Sequence, residues 1–242
     1  MLLKAVIFDV YNTLFRNDTS YWMDTFGELC RVQELPISPD ELWTRWKSIE
    51  VRFRQTRTNL EHPEKSPPFK TYKEAWREAF VDAFESLGIK GDSDHAAQLS
   101  VDSLGTREPY DDTFSFLEYV GQRWKRSVLT NADNGSILPL LQRHGLSFDA
   151  VVTSEIAGAY KPDPRVFNRI VEETGVLPAE ALYVGDTLFD DMHGAKLAGL
   201  PTAWLNRNGA DTDPQLLPPD YQVTGLDELV AVLESLKEVN LQ

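Results

Sequence analysis

The sequence has little cysteine and no long apolar run. Its single cysteine, Cys30, cannot form an internal disulfide bond, and such low cysteine usage is typical of a reducing compartment. No stretch approaches the roughly 20 apolar residues that span a bilayer, and Asp9 interrupts the apolar start of the chain early. These features predict a cytoplasmic protein with no membrane partner. Catalysis by Cys30 is not expected, because no base that would activate a thiol is evident.

Basic residues are also scarce. Lys and Arg number 24 against 38 Asp and Glu, which gives a formal net charge of -14. Because nucleic-acid binding depends on cationic side chains that neutralise phosphates, this balance argues against a nucleic-acid partner. It leaves room for a small phosphorylated substrate, since one lysine or metal ion in a pocket can reverse the local potential. The four histidines lack metal-ligand spacing, and we interpret them as surface or helix-end residues.

Short apolar segments alternate with helical patterns along much of the chain. The first segment, 5–8, precedes Asp9 directly and is typical of a buried strand with a polar residue at its carboxyl end. Similar segments follow at 127–130, 150–153, 182–184 and 202–205. Helical patterns occupy about 136–144, 164–174 and 190–198, and a loop at 209–219 precedes a final helix at about 226–236. This order predicts an α/β fold with a doubly wound parallel sheet, whose ligand sites lie at the strands' carboxyl ends.

The stretch from residue 16 to residue 106 has a different pattern. It lacks apolar strand segments and is rich in helix formers and aromatic residues, as at helical spacing over 72–84. The proline-rich segment 61–69 is expected to divide it into two helical hairpins. We therefore predict an all-α domain, 16–106, inserted into an α/β core formed by residues 1–15 and 107–242.

Four short motifs occur in order at or near the ends of predicted core strands. They are FDVYNTL with Asp9 and Thr13, LTNADN with Thr130 and Asn131, GAYKPDPRVF with Lys161, and YVGDTLFDDMHGAKLAG with Asp186 and Asp191. Each alone is a weak signal, since such residues also form helix caps and turns on unrelated α/β sheets. Together they resemble the haloacid dehalogenase-like (HAD) hydrolase superfamily. The resemblance covers almost the whole chain except the helical insert, which lies where the family carries its C1-type cap domain.

The resemblance implies covalent catalysis. Asp9 would be the nucleophile that forms an intermediate with the substrate. Thr130 and Asn131 would donate hydrogen bonds to the group being transferred, and Lys161 would neutralise charge on Asp9 and on the substrate. From the residues alone, the alternatives stay open that Thr130 and Asn131 are strand-end turn formers and that Lys161 is a solvated loop lysine.

Two further residues are assigned supporting roles. Thr13 lies four residues after Asp9, and the family's spacing favours Asp191 as the aspartate that faces the site. Its neighbour Asp190 is expected to cap the following helix instead.

The residue two positions after Asp9 departs from the family's commoner pattern. Most HAD phosphatases carry a second aspartate there, which protonates the leaving alcohol and later activates water, whereas this chain has Tyr11. The 2-haloacid dehalogenases of the same superfamily place tyrosine at that position, and their chemistry permits it because a departing halide needs no proton. Tyr11 therefore favours carbon–halogen cleavage.

The fourth motif favours a different reaction. The superfamily's dehalogenases have a Ser-Ser-Asn type segment where this chain has Gly-Asp-Thr at 185–187. The carboxylates of Asp9, Asp186 and Asp191 would then face Lys161 as the one obvious positive charge. Uncompensated carboxylates raise one another's pKa and take up protons, and a hard divalent cation with oxygen ligands is the usual remedy.

These considerations predict a Mg²⁺-dependent phosphatase that acts on a small phosphorylated metabolite through an aspartyl-phosphate at Asp9. The carboxylates of Asp9 and Asp186 and the main-chain carbonyl of Tyr11 would bind the metal. Because a missing general acid lowers rates by ~10² to 10⁴, substrates with good leaving groups, such as acyl or aryl phosphates, are favoured.

Two alternative functions remain open. One is a metal-independent 2-haloacid dehalogenase that forms an aspartyl ester. The other is a catalytically weak HAD-fold protein that binds a metabolite or partner, with Tyr11 marking a lost acid. The aromatic residues of the cap could line an organic substrate pocket, although we interpret more of them as cap core. We expect a monomer or a homodimer.

Overall fold

A computed structural model describes residues 2–238. The chain groups into two compact units. The first, called here the sheet unit, comprises Met1–Arg16, Glu108–Asn131 and Ser147–Gln242. The second, the helical unit, comprises Asn17–Arg107 and Ala132–Leu146. The sequence analysis assigns residues 132–146 to the α/β core, whereas here they group with the helical unit. The predicted domain boundaries stay a prediction.

The sheet unit contains one parallel sheet of six strands in the order β3-β2-β1-β4-β5-β6. The strands are β1 (Ala5–Phe8), β2 (Lys125–Thr130), β3 (Ala150–Thr153), β4 (Ala181–Gly185), β5 (Thr202–Leu205) and β6 (Tyr221–Val223). The predicted α/β class with a doubly wound sheet is confirmed. The sequence analysis missed β6, because three residues with one polar side chain are too short to show a strand period.

The α-helices, numbered along the chain, are α1 (Thr19–Val32), α2 (Pro39–Thr56), α3 (Tyr72–Leu87), α4 (Ser93–Leu104), α5 (Thr113–Gly121), α6 (Asn134–Arg143), α7 (Ser154–Ala157), α8 (Pro164–Thr174), α9 (Gly194–Leu197) and α10 (Leu226–Glu238). Short 3-10 turns lie at Pro63–Lys65 and Pro178–Glu180, and a π-helical turn, Leu188–His193, leads into α9. In residues 2–238, no helix has the length and apolar content needed to cross a membrane.

The sheet is covered on both faces, which explains why its central strand is wholly apolar. All four residues of β1 are buried. On one face Ile7 belongs to a cluster with Leu129, Tyr183 and Phe167 of α8. On the other face the ring of Phe8 packs edge-on against Phe116 of α5, with ring centroids 6.0 Å apart. Strands buried on both faces carry continuous hydrophobic runs, as the sequence of β1 does.

The strand order places a switch point beside β1. The chain proceeds outward from β1 through β2 to β3, and it then crosses to the other side of β1 for β4, β5 and β6. Crossovers on opposite sides of β1 leave a crevice at the carboxyl ends of β1 and β4, where open α/β sheets bind their ligands. Asp9 and Asp186 directly follow these two strands.

The helical unit has an aromatic core. Phe26, Trp46 and Phe80 are at most 1% exposed. The ring centroids of Trp46 and Phe80 lie 5.4 Å apart, and those of Phe26 and Phe80 lie 5.7 Å apart. These three residues therefore form the interior of the unit, in agreement with the interpretation of cap aromatics as mainly core. Proline-rich segment 61–69 separates α1 and α2 from α3 and α4.

The segment after β2 is fastened to the start of α3 by a buried carboxylate. Asp133 accepts hydrogen bonds from the backbone N–H groups of Tyr72 and Lys73, each at 2.7 Å. Thr71 and Glu74 add a capping box at the same helix start. Because the first N–H groups of a helix have no partner within it, Asp133 satisfies two donors that would otherwise be buried without one.

We predict that Asp133→Asn lowers the free energy of unfolding by about 1–2 kcal/mol, because an amide offers one acceptor oxygen and carries no charge at the helix N-terminus. Urea denaturation monitored by circular dichroism would measure the change. Asp82→Asn, an exposed position in the middle of α3, is the matched control and should change stability by less than about 0.5 kcal/mol. Equal effects of the two substitutions would contradict this role of Asp133.

Candidate active site

Three neighbouring strands end at the residues that the first, second and fourth motifs singled out. Asp9 continues the line of β1, and its backbone N–H donates to the carbonyl of Val184 in β4 at 2.9 Å. Side chains alternate along a strand, so Asp9 follows Ala5 and Ile7 on one face of the sheet. The third motif contributes Lys161, which lies just before α8. Four separated pieces of sequence thus meet at the carboxyl edge of the sheet.

Lys161 is the centre of this arrangement. Its ammonium nitrogen lies 2.7 Å from Asp9 Oδ1 and 2.6 Å from Asp191 Oδ1. The side chains of Lys161, Asp9 and Asp191 are 3%, 9% and 1% exposed, so the ion pairs are almost fully withdrawn from water. The alternative that Lys161 is a solvated loop lysine is therefore wrong. Buried charges persist only when they are paired and hydrogen-bonded, as these are.

Tyr183 is a site residue that the sequence analysis missed. Its hydroxyl lies 3.1 Å from Lys161 Nζ, 2.9 Å from Asp191 Oδ1 and 3.2 Å from the carbonyl oxygen of Leu129. The sequence offered one signal, because a tyrosine inside a fully buried strand needs a partner for its hydroxyl. The apolar run 182–184 predicts a buried strand, but it does not indicate a role for Tyr183.

Asp191 is held by the segment that carries it. Its Oδ2 accepts hydrogen bonds from the backbone N–H and the hydroxyl of Thr187, at 3.0 and 2.7 Å. Gly185, the last residue of β4, makes this possible, since a Cβ there would lie 2.5 Å from Asp191 Cγ. Glycine is thus required at residue 185 by the close approach of the aspartate.

Burial and the neighbouring charges both shift the pKa values of the site. Burial, the largest influence, raises the pKa of Asp9 to about 6, while Lys161 lowers it and Asp191 raises it. For Asp186, burial and then Asp191 and Asp9 raise the pKa well above its usual range. Burial opposes the charge of Lys161, but Asp191 and Asp9 together outweigh it and hold its pKa well above the ordinary value. The site therefore carries more carboxylates than its single ammonium can neutralise.

The carboxylates are close enough to share a cation. One oxygen each from Asp9, Asp186 and Asp191 can be chosen so that all lie within 4.8 Å of one another. Such an oxygen donor set suits a hard divalent ion. Each carboxylate oxygen of Asp191 already accepts two hydrogen bonds. Asp9 and the partly exposed Asp186 are therefore better placed to bind a metal ion. Trp204 fixes the backbone at Asp186, since its indole N–H donates to the carbonyl of Asp186 at 2.9 Å.

The remaining predicted residues line the same strand ends. Thr13 is buried, and its hydroxyl donates a long hydrogen bond of 3.5 Å to Asp9 Oδ2. Thr130 is buried at the end of β2, where it pairs with Thr153. Tyr11 is half-buried and forms an isolated bridge with Phe15. Metal binding by the Tyr11 carbonyl and anion binding by Thr130 stay predictions.

Asn131 makes contacts that its sequence motif does not suggest. Its side-chain carbonyl accepts from the backbone N–H of Lys161 at 2.8 Å, and its amide donates to the backbone carbonyl of Lys161 at 3.1 Å. Asn131 therefore anchors the loop that carries the lysine, while its expected contact with the transferred group stays a prediction. The same amide lies 3.4 Å from Asp190 Oδ2. The expectation that Asp190 caps a helix is wrong, because Thr187 occupies the cap position.

The sheet topology and the acidic site at its switch point are those of a doubly wound α/β protein with a ligand site at the carboxyl ends of its strands. Comparison with known proteins specifies the family. A family model described as haloacid dehalogenase-like hydrolase matches residues 3–199, and the chain belongs to this family. The predicted membership of the HAD superfamily is thereby confirmed.

Relatives within the family differ in their reactions. An (S)-2-haloacid dehalogenase of Pseudomonas sp. (strain YL) is 25% identical over 237 residues, which cover 96% of this chain and 95% of that protein. Several further relatives are also haloacid dehalogenases. A glyceraldehyde 3-phosphate phosphatase of Pyrococcus furiosus is 37% identical over 89 residues, or 36% of this chain and 37% of that protein.

A solved structure shows the same fold. The HAD-hydrolase YfnB of Bacillus subtilis, bound to magnesium, superposes with a TM-score of 0.78 at 24% identity, covering 96% of this chain and 99% of that one. Hydrolase membership is therefore established, whereas the expected preference for phosphatase over dehalogenase activity is not confirmed, since the full-length relatives are mainly dehalogenases.

We predict that the raised pKa of Asp9 makes stability depend on pH when divalent cations are removed. A carboxyl whose pKa rises from 3.8 to about 6 on folding contributes stability that is complete below 3.8 and lost as the pH rises through about 6. In EDTA, the wild type should therefore lose stability relative to Asp9→Asn over this interval.

Urea denaturation of both proteins at a series of pH values would measure this difference, and Mg²⁺ should reduce the loss by favouring the ionised carboxylate. The prediction would be contradicted if the difference in the free energy of unfolding between the two proteins stayed constant with pH, or if the wild type became relatively more stable as the pH rises.

Proposed function

We propose that the protein is a Mg²⁺-dependent phosphatase that attacks a small phosphorylated compound with the carboxylate of Asp9. The observation that carries the proposal is the cluster of Asp9, Asp186 and Asp191 within 4.8 Å, with Lys161 as the ammonium paired to it. Three carboxylates and one ammonium leave a net negative charge, which repels an anionic substrate unless a cation is added. A bound Mg²⁺ would neutralise charge on the phosphoryl oxygens and orient the group for attack.

The chain's own residues supply the covalent steps. An oxygen of Asp9 forms a bond to phosphorus as the bond to the leaving group breaks, which gives an aspartyl-phosphate and a released alcohol or acid. Lys161, 2.7 Å from Asp9 Oδ1, neutralises charge at the nucleophile. Water then attacks the phosphorus of the intermediate, which releases phosphate and restores the Asp9 carboxylate. The buried hydroxyl of Thr130 is the candidate donor to the transferred group.

Position 11 limits the choice of substrate. Tyr11 supplies no carboxylic acid to protonate a departing alkoxide, and such assistance is worth ~10² to 10⁴ in rate. Leaving groups that are stable as anions need this proton least. Acyl phosphates and aryl phosphates are therefore the proposed substrate class, in preference to sugar phosphates.

A second candidate is a 2-haloacid dehalogenase, and the similarity to relatives favours it over the phosphatase. The 25% identity to an (S)-2-haloacid dehalogenase extends over 96% of this chain, whereas the similarity to a phosphatase covers 36%. In this reaction Asp9 would displace halide from carbon 2 and form an ester, which water hydrolyses. Tyr11 suits a halide leaving group. Asp186 is the residue that argues against it, because without a cation its carboxyl must either place negative charge beside an anionic haloacid or take up a proton.

One set of assays separates the two reactions. Acetyl phosphate and p-nitrophenyl phosphate are supplied with Mg²⁺, and 2-chloropropionate is supplied with EDTA. We expect phosphate release that EDTA abolishes and Mg²⁺ restores, and that Asp9→Asn eliminates. We also expect Asp186→Asn to lower this activity by about 100-fold or more, since it removes one metal ligand and its charge.

Asp211→Asn, at an exposed position in the loop before β6, is the matched control and should retain wild-type activity. Chloride release in EDTA, with no phosphate release in Mg²⁺, would reject the phosphatase proposal in favour of the dehalogenase. No Asp9-dependent turnover of either substrate class would leave the third hypothesis, a binding protein with the fold of a hydrolase.

A further inference from the structure

The ammonium of Lys161 has more acceptors around it than it has hydrogens. Asp9 Oδ1 and Asp191 Oδ1 lie at 2.7 and 2.6 Å, the Tyr183 hydroxyl at 3.1 Å and the Leu129 carbonyl at 3.4 Å. A lysine ammonium donates three hydrogen bonds. Four acceptors thus surround three N–H groups, so one acceptor is surplus while Asp9 is a free carboxylate.

The Lys161 ammonium needs this surplus acceptor when Asp9 reacts. As an aspartyl-phosphate or an ester, Asp9 has given one carboxylate oxygen to the new bond, and it no longer carries the full charge that paired with Lys161. The lysine side chain is 3% exposed, so water cannot readily replace the weakened partner. A buried ammonium with an unsatisfied N–H is strongly disfavoured, and it would tend to move or to lose its proton.

Tyr183 is suited to hold the ammonium at this stage. Its hydroxyl can accept from Lys161 while it donates to Asp191 Oδ1 at 2.9 Å, which links the three groups. The ring is fully buried in β4, and it packs edge-on against Phe167 with centroids 5.1 Å apart. The hydroxyl is therefore fixed by the sheet and does not depend on Asp9.

We propose that Tyr183 is a positioning residue, which keeps the Lys161 ammonium in place while Asp9 carries the covalent intermediate. The proposal rests on the proposed nucleophilic role of Asp9, but it is the same for attack on phosphorus or on carbon. It assigns Tyr183 no contact with the substrate. Its effect is exerted through Lys161, on the hydrolysis of the intermediate more than on substrate binding.

The first test compares Tyr183→Phe with Tyr119→Phe. Tyr119 is a matched control, since its hydroxyl donates to the carboxylate of Glu234 on α10 and lies outside the site. With the substrate class that shows Asp9-dependent turnover, we expect Tyr183→Phe to lower kcat by about tenfold or more and to lower KM in proportion, because slower hydrolysis of the covalent intermediate leaves kcat/KM nearly unchanged. Tyr119→Phe should change neither.

Single-turnover measurements distinguish positioning from a purely structural role. In Tyr183→Phe the hydrolysis of the intermediate should slow more than its formation, so that mass spectrometry of quenched enzyme detects more modified Asp9 than in the wild type. A structural defect would reduce the amount of active enzyme without changing this partition. Wild-type kcat in Tyr183→Phe, or equal slowing of both steps, would overturn the proposal.

A second test requires no activity. The neutral amide in the Asp9→Asn variant imitates the neutralised nucleophile, and the Lys161 ammonium is observed there by ¹⁵N-lysine NMR. We expect this ammonium to remain protected from exchange with water, and we expect exchange to become about tenfold faster when Tyr183→Phe is added but not when Tyr119→Phe is added.

Rapid exchange in Asp9→Asn alone would overturn the proposal even if the double variant failed to fold. Failure of both substrate classes in the assays, combined with the expected exchange pattern, would count against the proposed function and leave standing only that Tyr183 holds the Lys161 ammonium when Asp9 is neutral.

Discussion

The ion pairs of Lys161 with Asp9 and Asp191 are the interaction on which the arrangement of the sheet edge depends. Desolvating three charged groups is expensive, and their attraction compensates only when the geometry is good and the remaining donors and acceptors are satisfied. Much of the surrounding sequence meets this condition. Gly185 leaves space for Asp191, Thr187 saturates its second oxygen, and Asn131 fixes the backbone of Lys161. Substitutions at these supporting residues should therefore change the position of the Lys161 ammonium or its pairing with Asp9 and Asp191.

The two candidate reactions differ in how they balance the same charges. A phosphoryl substrate that arrives with a divalent cation adds positive charge to a site that has too little of it. A haloacid arrives as an anion without a cation, and it must bind beside Asp186 as well as Asp9. The relatives favour the second reaction and the acidic cluster favours the first. Asp186 is the residue at which these two lines of argument conflict, because it adds charge that only the metal-dependent reaction uses.

Much of this arrangement could be predicted from the sequence, because its elements carry strong local signals. Strands β1, β3 and β5 and helix α8 have the predicted bounds, since each is a short apolar or amphipathic segment ended by a polar residue, glycine or proline. Asp9, Lys161 and Asp191 were named from motifs, and the structure joins them directly. The partners of Tyr183 and the anchoring contacts of Asn131 could not be derived, since they depend on which strands are neighbours in space. The order of strands in the sheet is not encoded in any local pattern.

The helical unit is discontinuous in the chain, and Asp133 shows why. The segment Ala132–Leu146 follows a strand of the sheet, yet its carboxylate completes the first turn of α3, some 60 residues earlier. An insert excised at residues 17–107 would thus leave behind part of its own structure, including α6. Exchange of the helical unit between related proteins, by recombination or by design, has to transfer both segments together. Sequence divergence in one segment is accordingly constrained by the other, although a core strand separates them.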